Sequence, residues 1–164
     1  MTPEKTSYSN NLNDFRVRLK NVFIKRIYFD TDKAPEFNKD TVPFDFEYCY
    51  TVGILTDNEY IVIQTSMTDN GIETFWTKEQ NDLSKPVEFL EINCKLNAIK
   101  IDNSSLDIPY KITLDFENRK VICVCGEIYK TDNDIYDYKI NDEMILCFTN
   151  DKDVEAYEKL TNNR

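Results

Sequence analysis

The sequence alternates apolar and polar residues with a period of two over most of its length, and this pattern constrains the fold more than any other feature. Because successive side chains of a strand point to opposite faces, such alternation predicts half-buried strands. The clearest segment predicts one aromatic face on the core and one mostly polar face. Phe44, Phe46, Tyr48, Tyr50, Val52 and Ile54 alternate there with Asp45, Glu47, Cys49, Thr51 and Gly53.

Short turn signals separate this strand from the next two. Thr56-Asp57-Asn58 precedes a β-rich segment at 59–68, and Asp69-Asn70-Gly71 precedes another at 72–77. Asn-Gly readily adopts the positive φ that tight hairpin turns require. The sequence therefore predicts a meander of three antiparallel strands.

The remaining patterns extend this all-β prediction. Strands are expected at 87–101, 110–116, 121–129, 135–140 and 144–148, and the alternation of basic and apolar residues at 16–20 also reads as a strand. Residues 151–160 predict a helix, with Asn150 as its N-cap. The predicted fold class is all-β: an antiparallel β-meander sandwich or small barrel with one C-terminal helix. An α+β fold is the alternative if residues 78–91 form a helix.

A length of 164 residues fits one domain, and we expect a flexible N-terminus at 1–13 followed by a single β-rich domain at 14–164. The N-terminal residues lack the apolar stretch of a signal peptide, and no run is long enough to span a membrane. Five irregularly spaced cysteines indicate free thiols in a reducing compartment. We therefore expect a cytoplasmic protein with no membrane partner.

The chain contains no histidine, which excludes hydrolysis by a histidine-assisted nucleophile and removes the commonest zinc ligand. Three widely separated glycines exclude phosphate-binding glycine loops. Cys123 and Cys125 share one face of a predicted strand, so they fit either half of a thiolate site with Cys94 or Cys147, or the core, which we favour. We therefore predict no catalytic residue, no metal and no cofactor, and no enzymatic activity.

The segment from Asp132 to Glu143 places acids at loop positions 1, 3 and 12 of a calcium-binding EF-hand. Position 6, where that loop requires glycine, is Asp137, and no helical pattern flanks the segment. This favours an acidic hairpin turn over a calcium site.

Acidic residues outnumber basic ones by 30 to 20, which gives a net charge of −10. Such a charge repels duplex nucleic acid and attracts basic partners. The first functional hypothesis is therefore a non-enzymatic acidic binding protein that blocks a basic surface of a protein or nucleoprotein, as immunity proteins and phage-encoded inhibitors do. Its candidate partner-binding residues interleave carboxylates with rigid tyrosines. They are Asp132, Asp134, Tyr136, Asp137, Tyr138, Asp142 and Glu143. The alternative for the tyrosines is that they pack into the core.

A second hypothesis comes from a basic segment at 16–26, which holds five bases and no acid. Basic residues beside strand aromatics are typical of small β-barrels that bind single-stranded nucleic acid. The candidate nucleic-acid-binding residues are Arg16, Arg18, Lys20, Lys25 and Arg26.

A third hypothesis comes from a resemblance. Ile24-Lys25-Arg26-Ile27-Tyr28, Ala34-Pro35, Asn38–Pro43 and Leu55–Val62 resemble the opening strands of the SecB export-chaperone family, over residues 24–79. The resemblance implies a strand meander that binds unfolded chains along apolar grooves, in a tetramer. That family continues into long helices, whereas this sequence continues with strand patterns, and no functional residue is carried across.

Overall fold

The computed structural model describes residues 8–31, 42–65, 71–77, 88–103, 105, 107–130 and 136–162. They form two helices and eight strands, which run in chain order as follows. The elements are α1 (Tyr8–Leu19), β1 (Phe23–Thr31), β2 (Glu47–Thr56), β3 (Tyr60–Thr65), β4 (Ile72–Thr77), β5 (Glu88–Asn103), β6 (Pro109–Phe116), β7 (Lys120–Lys130), β8 (Tyr136–Phe148) and α2 (Asp151–Asn162).

Six strands close into an antiparallel barrel. The sheet order is β1-β5-β6-β7-β8-β2-β3-β4, and an additional pairing of β1 with β2 joins the ends of the first six strands. β3 and β4 continue the sheet outward from β2, so the predicted three-strand meander is confirmed. The predicted all-β small barrel with a C-terminal helix is also confirmed.

The barrel interior is filled by apolar side chains from every barrel strand. Ile27, Val52, Leu96, Leu114 and Ile145 all lie in one buried cluster. The long strand β5 pairs with β1 through residues 88–95 and with β6 through residues 96–103. A bulge allows this long strand to bend, and Asn93 adopts a positive φ of 50° there.

The continuous aromatic face predicted for residues 44–54 is wrong. Tyr48 packs outside the barrel, whereas Cys49, Val52 and Ile54 pack inside it, and Tyr50 is 50% exposed. The cause is a shift in the register between β1 and β2, where Asp30 and Thr31 pair with Thr51 and Cys49. One extra residue on β2 moves the side chains that follow it to the opposite face.

The strand predicted at 16–20 is also wrong, because residues 8–19 form helix α1. Leu12, Phe15 and Leu19 recur at helical spacing and are buried in the interior cluster, where α1 packs against β4 and β5. Asn21 ends the helix with a φ of 65°, and its N–H donates to the Leu96 carbonyl at 2.7 Å. The expected boundary between residues 13 and 14 falls inside this helix, while residues 1–7 lie outside the described part of the chain.

The C-terminal helix follows the prediction. α2 begins at Asp151, and the Asn150 side-chain oxygen accepts a hydrogen bond of 2.8 Å from the Asp153 N–H. The two strands predicted at 135–140 and 144–148 are one strand, β8. Of the segment on which the α+β alternative depended, residues 78–87 lie outside the described residues and residues 88–91 belong to β5.

The outside of the barrel has two different faces. The sealed wall is the face covered by α2, where Phe44, Phe148, Val154 and Tyr157 are buried in a second cluster. The open wall is formed by the outer faces of β1, β2, β3 and β5. Its buried cluster consists of Tyr28, Tyr60 and Val62, with Leu55 partly buried against it.

Candidate functional site

Five of the seven predicted partner-binding residues fall on β8, which pairs with β7 as an antiparallel hairpin. We call its outer half the arm: Gly126–Lys130 paired with Tyr136–Ile140. β6 pairs with β7 only as far as Val124, and β2 pairs with β8 only as far as Ile145. Within the described residues, the two strands of the arm therefore pair only with each other.

The hairpin brings five of the seven predicted residues into one strand. Tyr136, Asp137 and Tyr138 lie in the arm. Asp142 and Glu143 lie just after it, where Cys125 pairs with Ile145 but Gly126 pairs with Ile140. Residues 141–144 thus form a long bulge in β8. Asp132 and Asp134 lie outside the described residues.

The same backbone decides the calcium alternative. An EF-hand loop requires a helix on each side. Here β7 precedes the segment, and residues 136–143 are themselves part of β8. The acidic pattern from Asp132 to Glu143 therefore does not form an EF-hand.

The five predicted nucleic-acid-binding bases come from two elements. Arg16 and Arg18 lie on α1 and Lys20 directly follows it, whereas Lys25 and Arg26 lie on β1. Three of the five are paired with acids, so their charge is already neutralised locally. The ion pairs are Arg18–Glu59 at 2.6 Å, Lys25–Asp57 at 3.3 Å and Arg26–Glu91 at 2.5 Å.

The open wall carries an aromatic group that the sequence did not single out. The Arg26 guanidinium lies 4.7 Å from the ring centre of Phe89, which is 47% exposed. The ring centres of Phe89 and Tyr28 are 5.8 Å apart, and those of Tyr28 and Tyr60 are 6.3 Å apart. Since these residues come from three strands distant in sequence, periodicity alone could not bring them together.

Four of the five cysteines are buried in the barrel interior, as predicted for Cys123 and Cys125. The sulfur atoms of Cys147 and Cys123 are 3.7 Å apart. Burial raises the pKa of the Cys125 and Cys147 thiols, so both stay protonated and unreactive near neutral pH. Among the described residues, no group of three or more cysteine, aspartate or glutamate side chains is arranged to hold a metal ion.

Two glutamates, Glu47 and Glu88, lie at the start of β2 and β5 and interact with each other. Partial burial, followed by the charge of and hydrogen bond with Glu88, raises the pKa of Glu47 to about 7. Glu47 pairs with Cys147 in the β2–β8 ladder, and Glu88 pairs with Phe29 in the β1–β5 ladder. The two carboxyls therefore meet at one end of the barrel, a proximity that their separation in sequence conceals.

The chain matches no protein-family model, and comparison with curated proteins and with solved structures likewise finds no match. The likeness to the SecB family stays a prediction. In the described part of the chain, no helix is long and apolar enough to cross a membrane.

Proposed function

We propose that this protein is a non-enzymatic acidic binding protein of the cytoplasm, which uses the arm to occupy a basic surface of another protein or a nucleoprotein. The observation that supports it most is the ladder of the β7–β8 hairpin. Within the described residues, its outer half pairs with no other strand. This half holds Tyr136, Asp137 and Tyr138, with Asp142 and Glu143 directly after it.

The charge around the arm indicates its partner class. Within the arm, Glu127 and Asp137 balance Lys130 and Lys139, and the acidic excess comes from the adjacent residues Asp132, Asp134, Asp142 and Glu143. Residues 126–143 contain six acids and two lysines in a chain of net charge −10. Carboxylates grouped on one hairpin complement a cluster of arginines, and the overall charge speeds the encounter with a basic partner. The backbone groups of an unpaired strand edge are a further means of holding an extended partner segment. An inhibitor or immunity role is the form of this function that we favour.

The contents of the barrel support the absence of catalysis. The buried cluster inside the barrel consists of apolar side chains and four thiols, and burial raises the pKa of two of these thiols, Cys125 and Cys147. A general acid or base needs a pKa near the working pH and access to substrate. Glu47 meets the first condition, so a screen for hydrolase activity with Mg²⁺ and Mn²⁺ should include Glu47→Gln beside Asp132→Asn and Asp134→Asn. Turnover that any of these variants abolishes would contradict the proposal.

Binding to an immobilised arginine-rich peptide at two salt concentrations tests the arm. The arm variant neutralises Asp132, Asp134, Asp137 and Asp142 to Asn and Glu143 to Gln. A control variant neutralises five described acids outside the arm: Asp14, Asp45, Asp107, Glu117 and Glu155. We expect the arm variant to lose about tenfold in affinity and most of the salt dependence, and the control to lose less than about threefold. Equal losses would show that net charge, and not the arm, drives binding.

The single-stranded nucleic-acid alternative has one supporting observation, the exposed Phe89 ring with Arg26 above it on the open wall. The ion pairs of Arg18, Lys25 and Arg26 weigh against it, because they leave less free positive charge for phosphates. A gel-shift assay with labelled oligothymidine at low salt tests it. The chaperone alternative predicts a tetramer, which light scattering during size-exclusion chromatography detects.

A further inference from the structure

Two cavities follow one another along helix α1, and Arg16 lines both. The first holds about 300 Å³, and its lining includes one acid. It is lined by Leu12, Asn13 and Arg16 of the helix and by Ile101, Asn103, Asp107 and Pro109. The second holds about 310 Å³ and is lined by Arg16, Val17 and Lys20 with Ala98 and Ile99 of β5. We call the two together the α1–β5 groove.

The walls of this groove are largely apolar. Leu12, Ile101 and Pro109 line the first cavity, and Val17, Ala98 and Ile99 line the second. Val17 is 68% exposed, which is unusual for a branched apolar residue on a helix otherwise packed by Leu12, Phe15 and Leu19. An apolar side chain that entered the second cavity would bury this surface.

Positive charge stands at the rim of the groove. The Arg16 guanidinium donates to the neutral Asn13 side-chain oxygen at 3.1 Å. Neither Arg16 nor Lys20 forms an ion pair with any other residue that the structure describes, in contrast to Arg18, which lies between them in sequence and pairs with Glu59 at 2.6 Å. The basic segment is thus divided: Arg18, Lys25 and Arg26 are neutralised within the fold, while Arg16 and Lys20 face the groove.

The distance between Arg16 and Lys20 indicates the conformation of a peptide that could bind both. Lys20 directly follows the last residue of α1, so its Cα atom lies about 6 Å along the helix axis from that of Arg16. Alternate side chains of an extended peptide lie on one face and are separated by about 6.6 Å. Two carboxylates two residues apart therefore match Arg16 and Lys20, since each can accept a charge-assisted hydrogen bond.

We propose that the α1–β5 groove binds an extended acidic segment of another protein, in which two carboxylates flank an apolar residue. The carboxylates bind Arg16 and Lys20, and apolar side chains of the segment cover Val17, Ala98 and Ile99. The net charge of −10 repels long polyanions, so the groove favours a short segment over nucleic acid. This site is independent of the hairpin segment 126–143, whose net charge is negative.

Fluorescence anisotropy with short labelled peptides tests the groove. The probe carries Glu-Val-Glu between small polar residues, and the comparison peptides carry Gln-Val-Gln or the rearranged order Glu-Glu-Val. We expect the Glu-Val-Glu peptide to bind about tenfold more tightly than Gln-Val-Gln and about threefold more tightly than the rearranged peptide at low salt. Equal binding of all three, or no binding of the probe, would overturn the proposal.

Two double variants with the same change in net charge separate the groove from the rest of the basic segment. Arg16→Gln with Lys20→Gln should reduce the affinity for the probe about tenfold, whereas Arg18→Gln with Lys25→Gln should change it less than about twofold. Equal losses in the two variants would contradict the assignment to the groove. Oligothymidine that displaces the probe at lower concentration than unlabelled peptide would assign Arg16 and Lys20 to single-stranded nucleic acid and also overturn it.

Discussion

The sealed wall and the open wall belong to the same barrel, yet they are finished in different ways. On the sealed wall, α2 covers the strands, and Phe148, Phe44 and Tyr157 are each at most 2% exposed. On the open wall, Tyr60 and Val62 are just as buried, but Phe89 beside them keeps 47% of its surface. Closure of a barrel pairs the strand edges, but it does not bury apolar side chains on the outer face of the sheet, which need other elements to cover them. Among the described residues, α2 covers the sealed wall, whereas the open wall is covered only by its own side chains.

Truncation of one phenylalanine on each wall gives the largest expected contrast. Phe148 is fully buried against Phe44, Phe46 and Tyr157, so Phe148→Ala should lower the free energy of unfolding by about 3–5 kcal/mol. Phe89→Ala should cost less than about 1.5 kcal/mol, because it loses half-exposed area and one cation–π contact. Urea unfolding measures both values. Similar costs would show that the open wall is covered as tightly as the sealed wall.

A substitution at a glycine on the open wall tests how tightly that wall is packed, and its expected effect on stability is intermediate. A Cβ atom at Gly53 would lie 1.8 Å from the Tyr60 hydroxyl oxygen and 2.4 Å from its Cζ atom. Because Tyr60 is only 1% exposed, its ring has little room to move, so Gly53→Ala should destabilise the protein by about 2–3 kcal/mol.

The control for this prediction is a double-mutant cycle. Tyr60→Leu should remove most of the penalty of Gly53→Ala, although it is destabilising by itself. If the two substitutions add without coupling, the ring yields easily and the open wall is loosely packed at its centre.

The smallest expected effect concerns pH at the end of the barrel. The pKa of Glu47 is about 7 in the folded protein and near 4.5 in the unfolded chain, so the folded state binds more protons between these values. The stability attributable to this group is therefore fully present below pH 4.5 and is lost as the pH rises to about 7. Partial exposure screens the effect, so we expect a loss of only about 1 kcal/mol relative to Glu47→Gln over that range.

Thermal unfolding at several pH values from about 4.5 to 8 measures this difference. Glu117→Gln, in an exposed turn, is the control and should follow the wild-type pH profile. If the stability of Glu47→Gln depends on pH in the same way as that of the wild type, Glu47 is not the source of the pH dependence.

The predictions from the sequence are confirmed where local periodicity determines the structure, and they are wrong where contacts between distant residues determine it. The turn at 56–58 and the N-cap at Asn150 depend only on neighbouring residues, and the structure forms both where the sequence predicts them. The bulge at Cys49–Thr51 depends on β1, so the alternation of residues 44–54 could not reveal it. For residues 16–20, a basic–apolar alternation outweighed the helical spacing of Leu12, Phe15 and Leu19, which was present in the sequence as the better signal.

The candidate site follows the same rule. Tyr136, Asp137, Tyr138, Asp142 and Glu143 are close in sequence, so a single strand, β8, brings them together. The Glu47–Glu88 pair and the α1–β5 groove join residues some 40 to 100 positions apart, and no pattern in the chain brings them together. Only the closed barrel does.

The order of the strands has a consequence for folding during synthesis. β2 pairs with β8 through Glu47–Cys147 and Cys49–Ile145, so about a hundred residues separate the two sides of the last barrel seam. A chain emerging from the ribosome can form the β1–β2–β3–β4 sheet early, because β1 precedes β2 and pairs with it from Cys49 to Thr56. Glu47 and Tyr48 at the start of β2 gain their partners on β8 only after residues 146 and 147 have left the exit tunnel. Until then the barrel cannot close, and the protein is an open sheet with unpaired strand edges.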